Sequence, residues 1–189
     1  GVLLIAAVMH FYRLQEEGYG NLYYAAAVKS MLGNWHNFFF ASFDPGGFVA
    51  VDKPPLGLWV QVASAMLLGF NGLSLHLPQA VAGVLSVALL YSLVRRVFGP
   101  TAGLLAALAL ALTPISVAAN RNNTVDGQLV FTSLLAAWAI GRAVEAGRLR
   151  WLLLSAVLVG IGFNIKMLQA FLVLPAIFGR RRGRRYRGG

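Results

Sequence analysis

Residues 77–96 read LPQAVAGVLSVALLYSLVRR, a run of eighteen uncharged residues that ends at two arginines. A helix needs roughly 20 mainly apolar residues to cross the hydrocarbon core of a bilayer, and about 17 at the short end. This stretch therefore predicts a membrane-spanning helix over 77–94, with Arg95 and Arg96 marking the end of the span.

Apolar runs recur along the rest of the chain. They cover residues 1–11, 56–70, 102–119, 129–144, 151–163 and 167–178. The runs over 102–119 and 129–144 are long enough to span, whereas the run over 56–70 is short enough to lie in the interface or re-enter the membrane. The last two runs suggest a pair of short helices that meet near Asn164. We predict an all-α polytopic membrane protein with about six spans.

The composition indicates the same class of protein. Of the 189 residues, 58% are hydrophobic and 12% are charged, and the mean hydropathy is +0.69. Soluble domains carry about a quarter charged residues. We therefore expect a multi-pass protein of the cell membrane. Because there is no cysteine, the redox compartment cannot be inferred.

Basic residues predict the orientation. Eleven of the sixteen Lys and Arg lie in three clusters, which are Arg95 and Arg96, then Arg142, Arg148 and Arg150, and finally six arginines within 180–187. The positive-inside rule assigns these clusters to the cytoplasm. With Glu145 as the one acid beside them, they account for the whole net charge of +10. The other five basic and five acidic residues then fall on the exoplasmic face.

The arginine-rich end RRRGRRYRGG is interpreted as a helix flank that touches anionic lipid. A nucleic-acid surface needs a basic stripe with base-stacking partners, so no nucleic acid is expected. We divide the chain into a membrane domain over 1–179 and a basic cytoplasmic tail over 180–189. The chain begins with Gly and its first apolar run is short, so we expect it to be part of a longer protein.

A long outer loop is predicted between residues 12 and 71. Within it, NLYYAAAVKSML (21–32) has helical composition and is followed by Gly33. The aromatic stretch WHNFFFASF (35–43) suits the headgroup level, and DPGG (44–47) predicts a turn. Pro54 and Pro55 are tolerated at a helix start, so a new helix is predicted over 56–68, just after Lys53.

Polar groups at the outer ends of the apolar runs are the candidate functional residues, because such groups are costly at membrane depth unless partnered or functional. They lie in QEEGYGN (15–21), VDKPPLG (51–57), ANRNNTVDG (119–127) and GFNIKMLQA (162–170). Lysine offers a compact charge for a phosphate, and a carboxylate can deprotonate a hydroxyl group. Together these residue types suit transfer of a group from a lipid-linked phosphate to an alcohol.

Each candidate also has an ordinary structural explanation. Lys53 could snorkel to the interface, and Glu16 and Glu17 could only solvate a loop. Asp126 or Thr124 could cap the following helix. Lys166 lies between two short apolar runs and needs a partner there. The three histidines lack metal-ligand spacing and are interpreted as structural.

Four stretches resemble the bacterial branch of the dolichyl-phosphate-mannose protein mannosyltransferase family, the ArnT-like glycosyltransferases of family 39. They are YGNLYYAAAVKSML (19–32), WHNFFFASFDPGGFVAVDKPPLGLWVQ (35–61), ANRNNTVDG (119–127) and GFNIKMLQAFLVLPA (162–176). The resemblance covers nearly the whole chain. It implies a GT-C fold with many transmembrane helices, a first outer loop whose helices lie along the membrane, and an active site that faces the exoplasm.

The resemblance also implies an inverting transfer of a mannose-like hexose from a polyprenyl-phosphate donor to an acceptor that stays unidentified. The implied phosphate-binding residues are Lys53 and Lys166, and Arg121 is a further phosphate-binding candidate from its charge and place in the sequence. The candidate catalytic carboxylates are Glu17, Asp126 and Glu16. The candidate substrate-binding residues are Asn21, Tyr24, Asp52, Asn122, Asn123 and Asn164. We expect no cofactor and no metal cage of several oxygens, although Glu17 and Asp126 could share one ion.

One departure from the family pattern concerns the base. Many relatives carry an Asp-Glu pair after the first helix, and alignment places that pair on Gly20 and Asn21, neither of which can act as a base. A short loop shift would bring Glu17 to this place. Without the resemblance, a transporter or flippase of an anionic lipid-linked substrate is the alternative function, since intramembrane lysines and broken helices also mark transport pathways.

Overall fold

The computed structural model describes residues 1–173, and these residues form helices joined by turns. Within this range the one β-type pairing is an isolated antiparallel bridge between Ser42 and Ala50. The α-helices are α1 Val2–Phe11, α2 Leu22–Met31, α3 Trp35–Phe40, α4 Leu56–Leu68, α5 Gly72–Phe98, α6 Pro100–Leu112, α7 Pro114–Asn120, α8 Asp126–Ala146 and α9 Leu149–Lys166. Two 3₁₀ helices cover Leu14–Glu17 and Met167–Val173. The predicted tail over 180–189 lies outside the described residues.

Three segments of the described chain are long and apolar enough to cross a membrane, namely Gly72–Phe98, Asp126–Ala146 and Leu149–Leu172. A fourth candidate is the bent pair of α6 and α7. The all-α membrane architecture is thus confirmed for residues 1–173, whereas the predicted number of about six spans is not. The difference arises because α1 has only ten residues, and because the last two predicted spans fall in the single apolar segment Leu149–Leu172 of the described chain.

The helix α5 is the centre of the bundle and packs against α1, α4, α6 and α8. It is longer at both ends than the predicted 77–94. At its start, Asn71 and Ser74 form a capping box, in which the Asn71 side chain accepts the Ser74 N–H at 2.9 Å. This reciprocal capping satisfies free N–H groups of the first turn, so the helix begins at Gly72 and runs through Pro78.

The helix predicted over 102–119 is broken into two helices, which together are still a candidate for one bent span. The helix stops at Leu112, and α7 starts at Pro114 with a bend of 60° between the two axes. Proline has no N–H for the helical ladder and its ring clashes with the preceding turn. The residue before it, Thr113, is accordingly extended, with φ −64° and ψ 114°.

The two short helices predicted over 151–163 and 167–178 are found in part. Segment Leu149–Leu172 is long and apolar enough for one span, but Met167 has φ 49° and separates α9 from a 3₁₀ helix. The rings of Phe163 and Phe171 lie 5.6 Å apart, which a continuous helix of this length would not allow. The chain therefore turns back at Met167, and residues 174–178 of the predicted second run lie outside the described range.

The outer segment, residues 12–71, packs as a small layer on the bundle. The prediction of a helix over 21–32 is confirmed by α2, with Asn21 as its N-cap, and the helix predicted over 56–68 has the bounds of α4. A core of small and branched side chains joins these two helices to α5, and it includes Val28, Met31, Leu58, Val62 and Leu75. This packing fixes where the loop before α4 lies.

The predicted turn at DPGG is present and is stabilised by Asp44. Its carboxylate accepts the N–H groups of Val49 at 2.7 Å and Phe48 at 3.2 Å. These two hydrogen bonds lower the pKa of Asp44. The backbone then pairs across the turn, with the Phe43 N–H donating to the Val49 carbonyl at 2.7 Å.

We expect the turn to loosen in acid. Because the pKa of Asp44 is lower in the folded chain than its unfolded value of about 3.9, its contribution is complete above roughly pH 4 and is lost as the pH falls further. Hydrogen exchange measured by mass spectrometry should show constant protection of the Phe48 and Val49 amides from pH 7 to 5 and lower protection below pH 4. In Asp44→Asn, protection should be low throughout. A wild-type profile that stays flat in acid would contradict this account.

Candidate functional site

Lys53 and Asp52 form an ion pair in the loop ahead of α4. The loop is held by Tyr23, whose hydroxyl accepts the Asp52 N–H at 3.2 Å. The hydrogen bond to the Asp52 carboxylate raises the pKa of Lys53, so this lysine stays charged at neutral pH. Tyr23 was not among the predicted site residues.

Tyr24 connects this ion pair with the helix bundle. It lies on the first turn of α2, half-buried, and burial raises the pKa of its hydroxyl. Lys53, Asp52 and Asp126 all lie within electrostatic reach of this hydroxyl. Tyr24 therefore stays neutral and keeps its hydroxyl proton close to Lys53, Asp52 and Asp126.

Lys166 and Asp126 form a second ion pair, which supplies the partner that Lys166 needs. Asp126 is the first residue of α8, and Lys166 is the last residue of α9. The lysine side chain is 20% exposed and the carboxylate 42%. The alternative that Asp126 or Thr124 caps α8 is wrong, because no side chain caps this helix and Thr124 donates to the Ala119 carbonyl instead.

Side-chain amides hold together the three helix ends that carry these residues. The Asn164 side chain accepts the Leu56 N–H at 3.3 Å, which joins α9 to α4. Gln128 donates to the Gly57 carbonyl at 3.1 Å, and Gln61 donates to the Asn123 carbonyl at 2.8 Å. Both glutamines are buried. Neither glutamine was among the predicted site residues. A polar side chain inside an apolar run indicates that it has a partner, and this signal, which identified Lys166, also applies to the two glutamines.

Three predicted substrate-binding amides form a connection between the outer segment and the bundle. The Asn21 N–H donates to the side-chain oxygens of Asn122 at 3.1 Å and Asn123 at 2.7 Å. The Asn123 side chain donates back to the Asn21 carbonyl at 3.0 Å. These contacts fix the loop between α7 and α8 against the start of α2.

The other predicted carboxylates lie in a different set of contacts. Glu17 accepts from Arg121 at 2.9 Å, and Arg121 also donates to the carbonyl of Tyr12 at 2.8 Å. Glu16 is paired with Arg13 on the surface. Among the ion pairs of residues 1–173, neither glutamate joins one of the two lysine pairs.

Gly20 occupies the place where family relatives are expected to carry an acid. It has φ 62°, and a Cβ built on it would lie 2.6 Å from the ring of His76 and 2.9 Å from the Asn122 side-chain oxygen. No carboxylate-bearing side chain fits there without displacing both neighbours. Any base must therefore come from another position.

A buried polar group lies next to the first turn of α8. The Asn120 amide donates to the His10 ring at 3.1 Å, and the other ring nitrogen of His10 contacts the Ala6 carbonyl at 2.8 Å. Two glycines make room for this group. A Cβ on Gly83 would lie 2.7 Å from the Asn120 amide nitrogen, and one on Gly127 would overlap the Asn120 amide oxygen.

A cavity of about 440 Å³ opens beside this group, and Asp126 lies on its wall together with Ser116 and Asn120. Two of the three histidines are buried. Within residues 1–173, no group of three or more metal-ligating side chains comes together. Glu17 and Asp126, which were predicted as able to share an ion, are in separate ion pairs.

Comparisons with known proteins place the chain among glycosyltransferases. A family model described as dolichyl-phosphate-mannose-protein mannosyltransferase matches residues 52–179. The chain is 53% identical, over 93% of its length, to a Bacillus subtilis protein named "Putative mannosyltransferase YycA", and 49% identical over the same share to "Putative mannosyltransferase YkcB". It covers 26% and 24% of these two proteins, so it spans about a quarter of their length.

A more distant relative is the undecaprenyl phosphate-alpha-4-amino-4-deoxy-L-arabinose arabinosyl transferase of Pseudomonas aeruginosa. The two sequences are 29% identical over 87% of the present chain, and the match covers 31% of the Pseudomonas protein. No solved structure matches the chain. The family match includes Lys53, Asp126 and Lys166 and begins after Glu17 and Tyr24.

The space at Gly127 can be tested with a matched substitution. We expect Gly127→Ala to lower the free energy of unfolding by about 1–3 kcal/mol, because the added methyl group overpacks against Asn120. Gly160 of α9 has no atom within 4 Å of a built Cβ, so Gly160→Ala should cause no loss. Thermal unfolding in detergent measures both. Equal melting temperatures for the two variants would show that Asn120 is not held between these helices.

Proposed function

Since the chain belongs to the dolichyl-phosphate-mannose-protein mannosyltransferase family, we propose that the intact protein is a membrane glycosyltransferase. It moves a mannose-like hexose from a polyprenyl-phosphate donor to an acceptor hydroxyl on the exoplasmic face, with inversion. The observation that carries this proposal is the presence of Lys53 and Lys166, each beside a carboxylate, around Tyr24 at one end of the bundle.

The class of donor is supported by the names of the relatives. The family description names dolichyl-phosphate-mannose, and the Pseudomonas relative is named for an undecaprenyl phosphate-linked sugar. Both are polyprenyl phosphates bonded to a sugar. The apolar helices that surround the site would keep such a lipid in the bilayer while its phosphate meets the lysines.

The two lysines are proposed to bind the donor phosphate. When the bond between the sugar and the phosphate breaks, the leaving phosphate gains a negative charge. Fixed cations that stabilise such a developing charge often contribute the largest part of catalysis. In this proposal Arg121 does not contact the phosphate, because its guanidinium is already held by Glu17 and by the Met9 and Tyr12 carbonyls.

Asp126 is proposed as the base. The acceptor oxygen forms a bond to the anomeric carbon, the carbon–phosphate-oxygen bond breaks with its electron pair going to the phosphate, and the acceptor proton goes to Asp126. One displacement of this kind inverts the anomeric carbon. Phosphate binding to Lys166 competes with the ion pair to Asp126 and frees the carboxylate for the proton.

Three predicted residues are proposed to position the donor. Tyr24 keeps a hydroxyl proton to donate, Asp52 orients Lys53, and Asn164 lies at the junction of α4 and α9. Asn21, Asn122 and Asn123 are instead proposed to hold the loop in place, since their polar atoms already bond to one another.

The role of Lys53 predicts a specific loss of activity. Membranes that contain the intact protein are supplied with radiolabelled polyprenyl-phosphate hexose, and release of the sugar is measured at matched expression. We expect Lys53→Ala to lower kcat/KM by about 10²–10³-fold. Lys29→Ala is the control, because Lys29 lies in the same outer segment, exposed, with its ammonium over the Phe70 ring at 5.9 Å.

If wild type left every labelled donor intact and moved it across the bilayer, the transporter would replace the transferase. If Lys29→Ala lost as much activity as Lys53→Ala, the loss would come from the charge of the outer segment and the phosphate role of Lys53 would be rejected.

The same assay distinguishes the candidate bases. We expect Asp126→Asn to lower kcat/KM by about 10²–10⁴-fold, the usual range for loss of a general base. Glu17→Gln should reduce it by less than about fivefold, because an exposed ion pair contributes at most about 1 kcal/mol. A larger loss in Glu17→Gln than in Asp126→Asn would assign the base to Glu17.

A further inference from the structure

The end of the bundle opposite the lysine pairs carries a concentration of arginines. Arg95 and Arg96 lie at the end of α5, Arg142 lies near the end of α8, and Arg148 and Arg150 lie at the start of α9. They form one surface, because Arg96 of α5 and Arg142 of α8 contact the same carboxylate, Glu145, at 3.3 Å and 3.7 Å. We call these five arginines the arginine surface.

The arginine surface carries more positive than negative charge. One carboxylate faces five guanidinium groups, which leaves an excess of four positive charges within a few helix turns. The start of α9 adds to the imbalance, because a helix N-terminus carries a partial positive charge and two arginines flank it there. Such an arrangement is stabilised by a bound anion.

Trp151 holds two of the arginines in position. The guanidinium groups of Arg142 and Arg150 each lie 5.5 Å from the centre of its ring. The Trp151 ring itself packs edge-on against Trp138 at 5.3 Å. Because the two guanidinium groups are held on a fixed ring, they lose little further freedom when they bind a ligand.

Arg142 has a donor that the described protein leaves unused. Its Nε atom is buried and has no acceptor within residues 1–173. An unpaired buried donor is costly, so the described protein does not fully satisfy this guanidinium, whose side chain is 38% exposed and therefore open to a further acceptor. A phosphate group supplies several oxygens in the geometry that a guanidinium recognises.

The apolar surroundings identify the source of that phosphate. Val97 and Phe98 follow the arginines of α5, and Leu149 lies between those of α9, and all three side chains are exposed. Acyl chains would cover these side chains, whereas a free phosphate would not. The geometry points to a binding site for an anionic phospholipid, whose headgroup phosphate contacts Arg142 and Arg150 and whose chains lie along α5 and α9.

Lipid binding to the intact protein in neutral detergent tests the site by native mass spectrometry. We expect phosphatidylglycerol to bind more tightly than phosphatidylcholine. The double variant Arg142→Gln and Arg150→Gln should weaken phosphatidylglycerol binding by about 25-fold, since each arginine near an anionic lipid contributes a factor of about five. Arg13→Gln is the control, because Arg13 is paired with Glu16 in the outer segment.

A gain-of-function variant covers the case in which the double variant does not fold. Glu145→Gln releases Arg96 and Arg142 from their shared carboxylate and should tighten phosphatidylglycerol binding by about fivefold. Unchanged binding in Glu145→Gln, or a loss in Arg13→Gln equal to that in the double variant, would overturn the site. Displacement of the lipid by equimolar inorganic phosphate would overturn the lipid as the ligand and assign the site to free phosphate.

Discussion

Asn21 and the loop between α7 and α8 exchange three hydrogen bonds, and this exchange, together with the apolar core that joins α2 and α4 to α5, fixes the position of the outer segment. The backbone of Asn21 makes these bonds, while its side chain caps α2 through the N–H groups of Tyr23 and Tyr24. The same residue therefore fixes where α2 starts and how it sits on the bundle. Tyr24 then lies near Asp126, and the loop that Tyr23 holds carries Lys53 into the same region.

Much of the fold could be predicted because it depends on local sequence. The spans at α5 and α8 follow from long apolar runs. The helix α2 follows from its helical composition before Gly33, and α4 follows from the proline pair before Leu56. The bend at Pro114 was missed although the residue is visible in the sequence, because an apolar run of sufficient length was taken as one helix. A hydropathy profile shows that a run is apolar and how long it is. Whether the run forms one helix depends here on Pro114, which has no N–H to donate to the preceding turn.

The candidate site could be predicted less completely, because its pairings join distant parts of the chain. A lysine between apolar runs indicates that a partner exists, and Lys166 does have one in Asp126. The sequence could not indicate that Arg121 would take Glu17, 104 residues away, nor that Asn120 would meet His10 at a separation of 110 residues. Those contacts follow from the packing of α1 against α5, α6 and α7.

The two lysine pairs also give the proposed reaction a balance of charge. Lys53 with Asp52 and Lys166 with Asp126 sum to zero, so a donor phosphodiester brings a total of one negative charge to the site. When the acceptor proton moves to Asp126, the protein groups together become positive by one charge. At the same time the leaving phosphate gains its second negative charge, which a phosphate monoester carries in part or in full near neutral pH. The total stays at one negative charge through the transfer, so the low-dielectric surroundings have no additional net charge to stabilise as the bond breaks.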